Sequence, residues 1–133
     1  MRYARWRVLF RGGAPSLRAV FLSDLHYGPT TGSIAPRQAW QLARAARPDV
    51  VFLGGDYVYA DESGLPALLR ELQRWQSDPP PGGIYACLGN HDLLANYEAI
   101  VMCLEACKVR VLVNNACELP APWRGIWIAG TDD

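Results

Sequence analysis

Hydrophobic positions recur along the chain with strand and helix periods, and the switches between them outline its elements. Residues 3–10 place Ala4, Trp6, Val8 and Phe10 on one side and Arg5 and Arg7 on the other, as a strand does. Gly12, Gly13 and Pro15 then turn the chain. Residues 17–23 (LRAVFLS) read as a second strand, buried over most of its surface, and residues 28–33 as a loop. Ala39, Trp40, Ala43 and Ala46 recur at helical spacing. They predict a helix from Pro36 to about Arg47, with Ser33 or Ala35 near its cap and Pro48 at its stop. Residues 49–53 (DVVFL) form a short strand closed by Gly54 and Gly55.

The second half repeats the alternation. Ser63 or Gly64 opens a helix with Pro66 in its first turn and Leu65, Leu68, Leu69 and Leu72 as its stripe, ending near Trp75. Residues 79–83 (PPPGG) make a stiff connector, and residues 84–88 a strand. Asn96 caps a helix over residues 97–107, and strands follow at 109–113, 116–119 and 126–129. Trp6, Trp40, Trp75, Trp123 and Trp127 fall on these stripes and read as packing residues. The order ββαβαβαβββ predicts an α/β layered domain with a mostly parallel sheet. In such sheets ligands gather outside the carboxyl ends of the strands.

Composition narrows the function classes. Half of the 133 residues are hydrophobic, enough for a single folded domain and against disorder. Thirteen basic and thirteen acidic residues cancel, so no global field draws in nucleic acid, and none is expected as a partner. The basic residues are uneven: Arg2, Arg5, Arg7, Arg11 and Arg18 all precede Asp24, the first acidic residue. That start can touch an anionic membrane surface, or form a solvated strand face. Without a spanning stretch or an apolar leader segment, the expected location is cytoplasmic, with peripheral contact at the inner face of the membrane left open. Cys103 and Cys107 share a helix face, where they form either a metal or redox pair or two small core residues.

The chemistry collects at three strand ends. Ser23-Asp24-Leu25-His26 follows the second strand, and Asp24 and His26, two apart on an extended segment, project to one side. Gly54-Gly55-Asp56 follows the third, its glycines permitting close backbone approach. Gly89-Asn90-His91-Asp92 follows the fourth, on a loop before a helix. Each fragment alone is common. Together they hold both histidines of the chain, at the edge where an α/β sheet builds its site.

Residues 24–26 (DLH), 55–56 (GD) and 89–92 (GNHD) resemble the first three motifs of the calcineurin-like metallophosphoesterases. Residues 22–28 (LSDLHYG), 48–58 (PDVVFLGGDYV) and 85–92 (YACLGNHD) are similar to a bacterial branch. That branch includes membrane-associated phosphodiesterases and UDP-diacylglucosamine pyrophosphohydrolases. The resemblance implies a layered αββα sandwich, its first sheet largely present and its second incomplete. It implies two divalent cations, with Asp24 and His26 on the first, Asp56 bridging, and Asn90 on the second. It also implies that His91 protonates the leaving oxygen or steadies the transition state, and that Asp92 orients and charge-stabilises that imidazole. The expected activity is hydrolysis of a phosphomonoester, phosphodiester or pyrophosphate by metal-bound hydroxide, on a phosphorylated small-molecule or lipid-linked substrate. Mixed nitrogen and oxygen donors without thiolate suit Mn, Fe or Zn, with Mg also admissible.

The family's later motifs bring further histidines, and this sequence has none after His91. Residues 1–133 are therefore expected to be the N-terminal part of one longer phosphoesterase domain. The alternative is a non-catalytic module that binds metal or phosphate weakly.

Overall fold

Four short parallel strands carry the site: β1 (Ala19–Leu22), β2 (Val50–Leu53), β3 (Ile84–Ala86) and β4 (Arg110–Val111). They lie side by side in chain order, with Phe21 opposite Phe52 and Phe52 opposite Tyr85. The computed structural model describes residues 15–29, 34–59 and 61–131. The expected strand over residues 3–10, Trp6, the four arginines before Pro15 and the Ser33 cap lie outside the described residues.

The connections between the strands are helical: α1 (Ile34–Ala45), α2 (Leu65–Gln76), then α3 (Asn90–Leu94) and α4 (Tyr97–Ala106). Right-handed crossovers that advance in one direction leave their helices on a single face of the sheet. The core agrees. Trp40 and Ala43 of α1, Leu68, Leu72 and Trp75 of α2, and Ile100 and Leu104 of α4 pack with Val51, Leu53 and Ala86. Alternation sends Val50 and Tyr85 to the opposite face. There they meet Leu112, Cys117, Leu119 and Trp123 beside a two-stranded antiparallel layer, β5 (Asn115–Glu118) and β6 (Trp127–Gly130). Burial on both faces explains why β2 is a continuous apolar run.

The expected α/β layering is therefore present, with a four-stranded parallel sheet and a small second sheet. Three local readings need correction. β1 is not largely buried: Phe21 is 67% exposed, because β1 edges the described sheet and the small second layer does not cover it. Trp127 is also 67% exposed. Period-two alternation on β6 turns Ile128 inward and its neighbour outward. Residues 90–92 open the short helix α3 and are not part of a loop.

Other expectations hold. Trp40, Trp75 and Trp123 are buried. Cys107 is buried and Cys103 partly so, both as free thiols. Burial pushes the Cys103 thiol up to about 11, which keeps it protonated near neutrality, as in a core residue. Asn96 caps α4, its Oδ1 accepting the Ala99 N–H at 3.1 Å. Asn96→Ala is expected to cost about 1 kcal/mol, read as a lower urea midpoint at unchanged slope.

Candidate metal centre

The loops that leave β1 and β2 continue to pair after the strands end. Asp24 N–H donates to Gly55 O at 3.2 Å, His26 N–H to Asp56 O at 2.9 Å, and Tyr27 N–H to Tyr57 O at 2.8 Å. This zipper requires left-handed backbone at Asp24 (φ 58°), His26 (φ 46°) and Asp56 (φ 56°). Such conformations cost an L-residue of order 1 kcal/mol each and concentrate at functional sites. Asp24 and His26 thus do not occupy an extended segment as expected. The two loops still bring their side chains together, with His26 Nε2 lying 3.8 Å from both Asp24 Oδ1 and Asp56 Oδ2.

The third strand end closes against the second. Gly55 takes φ 90°, and a Cβ there would collide with the backbone of Gly89. A Cβ on Gly89 would in turn collide with Asp56 Oδ1. Two bare backbones in contact let His91 N–H donate to Asp56 Oδ1 at 3.1 Å. The Tyr57 hydroxyl donates to Cys87 O at 2.7 Å and lies 3.1 Å from Leu53 O, tying the ends of β2 and β3. Burial raises that phenol well above its ordinary pKa.

Three donor side chains converge as a result. Ligand atoms of His26, Asp56 and His91 all lie within 4.8 Å of one another. Asp24 adds a more exposed carboxylate at the rim, where Ser23 Oγ donates to its Oδ2 at 2.6 Å. The 3.8 Å imidazole–carboxylate separations are too long for hydrogen bonds. They fall within the roughly 4.2 Å that two ligands can span across one cation at about 2.1 Å from each. Imidazole and carboxylate donors suit a borderline transition metal, and His26, Asp56 and His91 form a group that could hold one, with Asp24 beside His26 at its rim.

The remaining sequence-derived residues fall differently. Asn90 opens α3 in the same turn as His91 and is exposed. Asp92 does not orient the His91 ring. Its carboxylate is fully buried and accepts main-chain N–H groups from Asp56 (2.7 Å), Tyr57 (2.9 Å), Gly89 (3.0 Å) and Val58 (3.4 Å). Burial raises its pKa, and these four bonds offset part of the rise. The ring is held by Tyr59 instead. His91 Nδ1 lies 2.7 Å from Tyr59 O, and since a carbonyl can only accept, Nδ1 carries the proton. Tyr59 is a site residue that the sequence did not reveal. A main-chain acceptor leaves no residue-type signature, and the only hint is an aromatic residue shortly after Asp56.

Comparison with known families decides what kind of site this is. The calcineurin-like phosphoesterase model matches residues 17–126. The chain belongs to this family. Phosphodiesterase YaeI of Escherichia coli K12 is 31% identical over 127 residues, covering 93% of this chain and 46% of YaeI. A transmembrane protein with a metallophosphoesterase domain from Danio rerio is 32% identical over 121 residues, covering 88% of this chain and 27% of that protein. Metallophosphoesterase YkoQ of Bacillus subtilis is 32% identical over 101 residues, covering 76% of this chain and 34% of YkoQ. The chain thus spans less than half the length of each of these relatives. No solved structure gives a comparable match. Membership of a metallophosphoesterase family implies divalent metal, and His26, Asp56 and His91 form a group able to hold it. No helix among the described residues is long and apolar enough to cross a membrane.

Proposed function

We propose that this chain carries the metal centre of a phosphoester hydrolase acting on a phosphomonoester, phosphodiester or pyrophosphate. The observation that supports it is the convergence of His26, Asp56 and His91 within 4.8 Å at the carboxyl ends of β1, β2 and β3, the first two as ligands and His91 beside them. In this reading Asp24, His26 and Asp56 hold one divalent cation. Asp56 is shared with a second that Asn90 also serves. The mixed nitrogen and oxygen donors favour Mn, Fe or Zn over Mg. When bound, such cations neutralise phosphoryl charge and lower the pKa of a bound water.

The chain's own residues do the rest. Asp56 keeps Oδ1 on the His91 N–H and presents Oδ2 toward His26. The Tyr59 carbonyl occupies His91 Nδ1, so Nε2 is the atom that exchanges a proton, giving it to the leaving oxygen. Asp92 fixes the backbone of Asp56, and through it the carboxylate. The substrate is a phosphorylated small molecule or a lipid-linked phosphoester. The latter is supported by the branch resemblance and by the arginines before Asp24, and would bring peripheral membrane contact in the cytoplasm.

Mn binding to residues 1–133, followed by calorimetry, tests the centre. Binding is expected, and His26→Ala and Asp56→Asn should each weaken it by tenfold or more. Absence of binding, or binding indifferent to both substitutions, would refute the reading. Turnover of a chromogenic phosphodiester by residues 1–133 is expected to be weak or undetectable, because His26 and His91 are the only histidines in this sequence. The same shortage favours a second reading, a non-catalytic metal- or phosphate-binding module. Robust turnover abolished by Asp56→Asn would exclude it.

A further inference from the structure

Tyr59 contacts both histidines of the site. Its ring stacks on His91, with centroids 5.4 Å apart and planes 23° from parallel, and meets His26 edge-on at 5.8 Å and 72°. The two imidazoles are themselves edge to face at 4.8 Å. The core makes no use of this ring: Tyr57 and Val58 just before it are 0% exposed, whereas Tyr59 is 49% exposed. A large apolar ring is therefore left half in water, against the imidazole that would serve the departing ester oxygen.

From this juxtaposition we infer that Tyr59 is a specificity-determining residue, whose open surface packs against the leaving group and selects phosphoesters with an aromatic or otherwise flat leaving group. The inference rests on the hydrolase reading above. In that reading the cations held by Asp24, His26, Asp56 and Asn90 would localise the phosphate, with His91 at the leaving oxygen, so whatever that oxygen carries lies beside His91 and meets the ring stacked on it. A flat apolar group there covers exposed aromatic surface and gains a ring–ring contact, and a small aliphatic group gains neither.

Phenylphosphonate and methylphosphonate, compared at a pH where both are dianions, carry the same phosphoryl charge and cannot lose the organic group by ester hydrolysis. Their binding to the Mn-loaded chain, followed by calorimetry, tests the inference. Phenylphosphonate is expected to bind about three- to tenfold more tightly. Tyr59→Phe should keep that preference. Tyr59→Ala should abolish it, bringing phenylphosphonate affinity down to that of methylphosphonate. Equal affinities in the parent chain, or a Tyr59→Ala variant that weakens both ligands alike, would overturn the role of Tyr59 alone. The second result would mean that the ring only steadies His91. If neither phosphonate binds the folded, Mn-loaded chain, the hydrolase reading fails and the inference with it.

Discussion

Asp92→Ala is expected to lower stability by about 3–4 kcal/mol, more than most single substitutions do. The carboxylate is 0% exposed and accepts four main-chain N–H groups, three of them consecutive, from Asp56, Tyr57 and Val58. Truncation would leave the Tyr57 and Val58 donors buried and the Asp56 and Gly89 donors half-buried with no partner, and each unsatisfied group costs about 1–3 kcal/mol, less whatever water can enter. Such a loss is a large share of the roughly 5–15 kcal/mol that holds a domain of this kind together. Asp92→Asn retains one carbonyl oxygen but turns an amide donor toward other donors, so an intermediate loss is expected. Urea denaturation of both variants checks the order. An alanine variant that unfolds at the parent's urea midpoint would show that the four bonds contribute nothing net. Because Asp92 holds the Asp56 backbone, the asparagine variant should also bind Mn more weakly than the parent while still folded.

Gly89→Ala is expected to reduce Mn affinity about 10- to 100-fold, the range seen when residues that support metal ligands are altered. The backbone of Gly89 is extended, at φ −109° and ψ 173°, which alanine adopts freely. Conformation is therefore not the obstacle. Space is: the added methyl would overlap Asp56 Oδ1 and lie 2.8 Å from the Asp56 nitrogen. One of the two loops must move, and Asp56 Oδ1 would lose its bond from His91 N–H. Overpacking of this sort costs about 1–3 kcal/mol of stability, so the variant should remain folded enough for calorimetry. Unchanged Mn affinity in a folded Gly89→Ala protein would mean that Asp56 is not held in place by this contact.

Much of the layered architecture is legible in the sequence because burial imposes periods. The stripe of Ala39, Trp40 and Ala43 in α1, the run VVFL in β2 and the Asn96 cap of α4 are local signals with local causes, and each stands where the pattern puts it. Phe21 and Trp127 depart from their pattern because exposure depends on what covers a face. An apolar residue in a strand carries the same pattern whether or not a second layer reaches it. The short helix α3 is only five residues long, below the length at which helical periodicity can be read.

The site divides along the same line. Residue types that ligate metal announce themselves, and their clustering at strand ends is what points to Asp24, His26, Asp56 and Asn90 as ligands, with His91 next to them. Which group holds which is not readable. Asp92 follows His91 in the chain, and the family resemblance gives it the role of orienting that imidazole. In the folded protein its carboxylate takes backbone N–H groups from a loop more than thirty residues away, and a main-chain carbonyl holds the ring.

By itself, the order of residues determined the α/β layers, the strand ends that carry chemistry and the donor types gathered there, since periodicity and side-chain chemistry are properties of the chain. The tertiary structure alone decided the left-handed turns at Asp24, His26 and Asp56, the bare contact of Gly55 with Gly89, and the hold of Tyr59 on His91. Each depends on two segments distant in sequence meeting backbone to backbone, and a peptide group presents the same donor and acceptor whatever residue carries it.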